Sequence, residues 1–129
     1  MNLAVICSAL LGALLFALGA NVTRARALAG PGGQFPNDPA NPLFKAVRAH
    51  GNTAEYVPML VVLMLLVQSR DPSGVADVAC VTATVARFVL AGALLASRTL
   101  AETNPARSAG AGLTYLSGTT LAVLAALTL

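Results

Sequence analysis

The sequence predicts an all-α fold: an up-and-down bundle of four helices embedded in a membrane, with residues 1–129 forming one domain. Two observations carry that expectation. Apolar residues make up 57% of the chain and charged ones only 10%, against roughly 45–50% and 25% in soluble domains. Four apolar stretches, over about 3–20, 43–67, 75–96 and 106–128, each reach the roughly 17–25 residues a helix needs to cross a hydrocarbon core about 30 Å thick. A chain this short cannot hide so much Leu, Ala and Val from water in a single core, so lipid must cover the remainder.

The first stretch, "LAVICSALLGALLFALGA", lacks the basic start of a secretory leader, and "LGA" at its end puts Leu18 where a cleavage site wants a small residue. It is read as helix one. From Asn21 to Pro42 the chain contains "AGPGGQFPNDPANP", whose prolines and glycines forbid a continuous helix and favour turns. This is expected to be the one long loop. The second stretch ends in the tight reversal "QSRDPSG" and the third in the polar link "SRTLAETNPARS". Pro105 in that link suits the first turn of helix four, where its missing N–H does no harm. No internal repeat and no low-complexity tract interrupts this plan.

The net charge of +3 is spread over loops and helix ends, with no basic stripe that could follow a phosphate backbone, so nucleic acid is excluded as a partner. Cys7 and Cys80 lie singly inside apolar runs, without the spacing or neighbouring histidines of a metal site or a disulfide framework. They read as small packing residues, and no metal is expected. Arg24, Arg26 and Lys45 flank the first connection and Arg98 and Arg107 the third, whereas the second offers only Arg70. The bias of Lys and Arg toward cytoplasmic loops then places loops one and three in the cytoplasm and both termini on the opposite side.

The anomaly is the start of helix two, "RAHGNTAEYVP". At about 100° per residue, Arg48, Asn52, Glu55 and Tyr56 fall within one sector of roughly 100°. His50 lies on the other side and is expected at an interface or at the membrane surface. A charged side chain at a helix centre costs about 2.5–3.5 kcal/mol in lipid, less near an end, so Arg48 and Glu55 require protein or ligand partners. Seven residues separate them, about 10 Å of rise, beyond the usual pair within one helix. Their partners must therefore come from another helix, another subunit or a ligand. A ligand with separated anionic and cationic ends would fit: Arg48 for a carboxylate, Glu55 for an ammonium, Asn52 able to donate and accept. A structural ion network that only sets helix register is the competing explanation. Pro58 deprives the Ala54 carbonyl of its helical partner, so a kink or a polar contact is expected there.

The pattern R-A-x-x-N-x-x-E-Y-x-P formed by Arg48, Asn52, Glu55, Tyr56 and Pro58, at the start of helix two of a four-helix chain, resembles the signature of the MAPEG family. These are the membrane-associated proteins in eicosanoid and glutathione metabolism, and the likeness is to small bacterial members. "NVTRAR" and the glycine-rich first loop resemble that branch too. The resemblance implies a homotrimer with glutathione held between subunits near the cytoplasmic face of the inner membrane. It implies Arg48, Asn52, Glu55 and Tyr56 as glutathione contacts, joined by Arg24 or Arg26 near the glutathione carboxylates. Arg87, inside "TVARFVLAG", resembles the helix-three arginine of the family; a structural role as partner of Asp77 or Glu55 competes with a catalytic one. "ARSAG" resembles the start of helix four, which makes Arg107 a candidate partner of the thiolate.

The implied activity is that of a membrane-bound glutathione transferase, in which the thiolate of glutathione attacks a lipophilic electrophile arriving from the membrane. A thiol with pKa about 8.5 is only a few per cent ionised at neutral pH, so a guanidinium or hydroxyl must favour the thiolate. Family enzymes often carry aromatic or His residues one and two turns after the helix-three arginine, where this chain has Leu90 and Leu94. That departure favours the alternative of a scaffold that binds glutathione or lipid without chemistry. Tyr115 is assigned to packing. A small transporter using Glu55 as an ion-coupled acid is disfavoured by Arg48 and Asn52 beside it.

Overall fold

The computed structural model describes residues 2–70 and 73–127. Four helices account for nearly all of them: α1 Leu3–Ala29, α2 Pro42–Arg70, α3 Gly74–Ala96 and α4 Pro105–Leu127, with a short 3-10 turn at Pro31–Gly33. Each helix is long and apolar enough to cross a membrane. Residue 128, the expected end of the fourth helix, and Asp71 and Pro72 of the second reversal lie outside the described residues.

The expected first loop is corrected at its start. Residues 21–29 continue α1 instead of leaving it. "NVTRARALA" has neither Gly nor Pro, and Arg, Ala and Leu are strong helix formers, so the change to polar composition marks the edge of the bilayer rather than the end of the helix. The stop comes at Gly30, whose φ of 69° takes the chain out of the helix. Gln34 then folds back, its Nε2 donating to the Gly30 carbonyl at 2.7 Å and the Arg26 carbonyl at 3.0 Å, which satisfies acceptors left open at the helix end.

The other ends follow from local chemistry. Asn41 and Asn104 each precede a proline and accept from the first turns of α2 and α4: Asn41 Oδ1 from the Leu43 N–H at 2.8 Å, and Asn104 Oδ1 from the Ala106 N–H at 2.9 Å. Ser73 caps α3 through the Ala76 N–H at 3.2 Å. α2 runs without interruption through Pro58.

Packing is most extensive between α1 and α2 and between α3 and α4, while α2 and α3 join the two pairs; among the described residues α1 and α4 do not meet. Toward the end where α2 finishes and α3 begins, Cys7 and Leu11 of α1, Val57 and Met64 of α2, Cys80 and Ala83 of α3 and Leu121 of α4 form one apolar core. Toward the other end Leu18, Ala49, Leu90, Ala91 and Leu94 form another. Between the two lies a buried polar layer of Thr53, Thr84, Arg87, Thr114 and Ser117. Thr84, Thr114 and Ser117 return their hydroxyls to carbonyls of their own helices at 2.8, 2.7 and 2.6 Å. Large apolar side chains such as Phe16, Met59, Val62, Val78 and Leu116 cover the outside, as expected of a surface bathed in lipid or in other apolar chains.

The two connections at the loop-one end are tied together. The Leu100 N–H donates to the Pro39 carbonyl at 3.1 Å, and Lys45 Nζ to the Ser97 carbonyl at 3.1 Å. Arg24, Arg26, Lys45, Arg48, Arg98 and Arg107, six of the eight basic residues, gather at this end.

α3 and α4 approach most closely at Gly110. A Cβ built there would lie 2.8 Å from Leu90 Cβ and 3.0 Å from both the Ala86 carbonyl oxygen and the Leu90 nitrogen. Backbone atoms cannot swing aside, so the helices must separate. Gly110→Ala is expected to lower stability in detergent by about 1–3 kcal/mol, whereas Gly92→Ala, where a Cβ meets nothing within 4 Å, leaves it unchanged within about 0.5 kcal/mol; thermal unfolding followed by circular dichroism separates the two.

Candidate functional site

The stripe at the start of α2 is built as its spacing requires, but its members serve different neighbours. Arg48 and Asn52 line a recess of about 270 Å³ between α2, the end of α3 and the start of α4. Arg107, Thr103, Asn104 and Ser108 complete its polar side, and Leu90 and Leu94 its apolar wall. Leu90 and Leu94 thus face this recess with alkyl groups.

One turn further, Glu55 and Tyr56 border a groove of about 570 Å³ between α2 and α4. Tyr115 faces Tyr56 across it, the rings 5.7 Å apart and the hydroxyls at 3.4 Å. Tyr115, which the sequence assigns to packing, is 55% exposed, and its hydroxyl meets a stripe residue. Arg48 and Glu55 are themselves exposed, and among the described residues neither side chain closes a hydrogen bond or salt bridge within the chain.

Beneath the stripe lies Arg87, only 1% exposed. Its Nη2 donates to Asn52 Oδ1 at 2.8 Å and to Thr53 Oγ1 at 3.3 Å, its guanidinium carbon lies 5.4 Å from the centre of the Tyr56 ring, and its Nε has no partner. This corrects the expected pairing with Asp77 or Glu55. A neutral amide, a hydroxyl and a ring face receive the charge, which favours charge-assisted hydrogen bonding and cation–π attraction over an ion pair. Thr53 escaped the sequence reading, although its place one turn from both Ala49 and Val57, two buried apolar positions, would have marked it as a polar group facing inward.

The remaining basic candidates divide. Arg26 shares with Arg48 a second recess, of about 390 Å³, closed by Gln34, Phe35 and Phe44. Arg24, two residues earlier and so about 200° around the helix, lines a different recess with Lys45. Arg107 is held by the third connection: Nη1 donates to the Glu102 carbonyl at 3.0 Å and Nη2 to the Leu100 carbonyl at 3.4 Å. His50 packs against α1, its Nε2 3.4 Å from where a Cβ on Gly19 would lie. Among the described residues no group of His, Cys, Asp and Glu could hold a metal ion.

Arg48, Asn52 and Arg107 therefore surround one recess with two cations and an amide, a set suited to carboxylates. Four apolar helices, a buried arginine and a polar recess at the basic end define an integral membrane protein with a charged pocket cut into its bundle. The chain belongs to the MAPEG family, whose sequence model matches residues 4–127. Membership makes it a membrane-associated protein of the eicosanoid and glutathione metabolism group, whose members generally use glutathione. No curated protein matches it.

Removing the acceptor from Arg87 should reveal what it contributes. Asn52→Leu is expected to lower stability by about 2 kcal/mol, because it strands a buried charge. Adding Arg87→Met should recover most of that loss, since the unpaired charge goes with it; a double-mutant cycle by denaturant unfolding in detergent measures the coupling.

Proposed function

We propose that this chain is a membrane-bound glutathione transferase working as a homotrimer in the bacterial inner membrane. In this reading Arg48 and Asn52 bind the carboxylates and backbone of glutathione, with Arg107 beside them in the same recess. Glu55 receives its ammonium group, Tyr56 borders its thiol, and Arg26, rather than Arg24, adds a further cation. The observation that carries the reading is the convergence of Arg48, Asn52 and Arg107 on one recess. Glu55 lies about 10 Å along the helix axis, close to the reach of an extended tripeptide. Arg48 and Glu55 have side chains exposed on the single chain, which suits a site closed by a neighbouring copy. The gathering of basic residues at the end of loops one and three supports a cytoplasmic placement for that end and the opposite side for both termini.

The chemistry would need no covalent enzyme intermediate. Cations beside the sulfur favour the thiolate, and the electrophile enters laterally from lipid, so that proximity provides much of the acceleration. Arg107 and Arg87 are the candidate groups for the sulfur, with Arg87 acting through Asn52 and Tyr56 because its own guanidinium is buried. A second reading, a scaffold that binds glutathione or lipid without turnover, is favoured by Leu90 and Leu94, which give the recess an alkyl wall. Thr103 and Ser108 are the hydroxyls that line the same recess.

Calorimetry of glutathione against the detergent-purified protein tests the site. Saturable binding that weakens at least tenfold in both Arg48→Ala and Glu55→Ala, with the oligomer intact by size-exclusion light scattering, is the expected result. No binding by folded wild type refutes the reading. Turnover of a reactive chloronitroarene by wild type then separates transferase from scaffold.

A further inference from the structure

The recess on the far side of α1 has no part in the proposed chemistry, yet its composition is specific. About 480 Å³ in volume, it lies where α1 and α2 meet the last turn of α3. Arg24, Lys45, Asn21 and Asn41 provide its polar groups, and Leu43 and Leu95 are among its apolar walls. Lys45 is half-buried and anchored by the Ser97 carbonyl at 3.1 Å, so one of the two cations is held in place before any ligand arrives. Glutathione contacts on α2 face elsewhere: Arg48 lines neither wall of this recess.

Depth identifies the occupant. If residues 3–20 of α1 cross the hydrocarbon, about 27 Å at 1.5 Å per residue, Arg24 stands about 6 Å beyond that layer, at the level of lipid headgroups. Two cations with two amides at that level, against leucine walls, match a phosphodiester attached to acyl chains better than they match a freely soluble anion, which needs no apolar contact. We infer that the recess formed by Arg24, Lys45, Asn21 and Asn41 seats the headgroup of an anionic phospholipid from the leaflet at the basic end of the bundle. A basic pocket between helices is a recognised form of such a site. The inference depends on the membrane placement of α1 and stands or falls separately from glutathione binding.

The test is native mass spectrometry of the protein released from nanodiscs of equimolar palmitoyl-oleoyl phosphatidylglycerol and phosphatidylcholine. Wild type should retain phosphatidylglycerol over phosphatidylcholine by roughly thirtyfold, the preference expected of two interfacial cations. Arg24→Gln/Lys45→Gln should bring the ratio near one, while Arg26→Gln/Arg98→Gln, which removes the same charge from the same end, should keep it. Equal retention of both lipids by wild type overturns the inference. So does an unchanged preference in the first variant, or an equal loss in the second, which would mean diffuse charge. Displacement of the lipid by inorganic phosphate would show a site for a free anion and would also overturn it. Should the first variant fail to fold, a photoreactive-headgroup phosphatidylglycerol applied to wild type decides: crosslinks to residues 21–45 support the seat, and crosslinks confined to other segments refute it.

Discussion

The structure turns on one buried guanidinium. Arg87 lies at the middle of the bundle, where a cation in lipid costs about 2.5–3.5 kcal/mol, and it is tolerated because α2 presents Asn52, Thr53 and Tyr56 to it. That requirement fixes how α2 faces α3, since a rotation of either helix would strand the charge. It also fixes the orientation of Asn52, whose amide is half-buried under the recess while its oxygen is engaged below. The stripe that sequence reading found on α2 is thus a surface whose inner edge is bolted to the core.

Around that layer, the division of labour between the two ends is clear. The apolar core toward the end where α2 finishes and α3 begins contains Leu11, Met64 and Leu121 at 0% exposure and draws on all four helices, and it supplies rigidity without chemistry. At the other end, caps, carbonyl contacts and basic side chains dominate, and the first and third connections are joined by backbone and lysine hydrogen bonds. A ligand that draws Arg107 inward would pull on the Leu100 and Glu102 carbonyls that hold it, and through Leu100 on the first connection as well.

Much of this was legible from residue order alone, for a physical reason. Lipid imposes a minimum apolar length and forces every backbone group into a helix, so helix number and topology follow from composition. Helix ends do not, because polarity reports the membrane boundary: residues 21–29 turn polar without ceasing to be helical. The α2 stripe was legible because it lies on one helix with one period. Pairings between helices were not. The partner of Arg87 was sought among acids, and Asn52 and Thr53 receive it instead; Tyr115 meets Tyr56 only because α4 packs beside α2. Such contacts depend on the rotation of helices about their axes, which no single segment encodes.

The pairing of helices also bears on how the chain enters the membrane. α1 with α2, and α3 with α4, are two hairpins, and the two helices of each pack against one another more extensively than any helix of one packs against a helix of the other. Synthesis delivers the first hairpin before the second. Asn52 and Thr53 are therefore already in the bilayer when α3 emerges, and Arg87 can exchange water for an amide and a hydroxyl as it enters. The reverse order would expose the cation to bare hydrocarbon. The order of the segments along the chain is in this sense part of the solution to burying a charge: the acceptor precedes the donor.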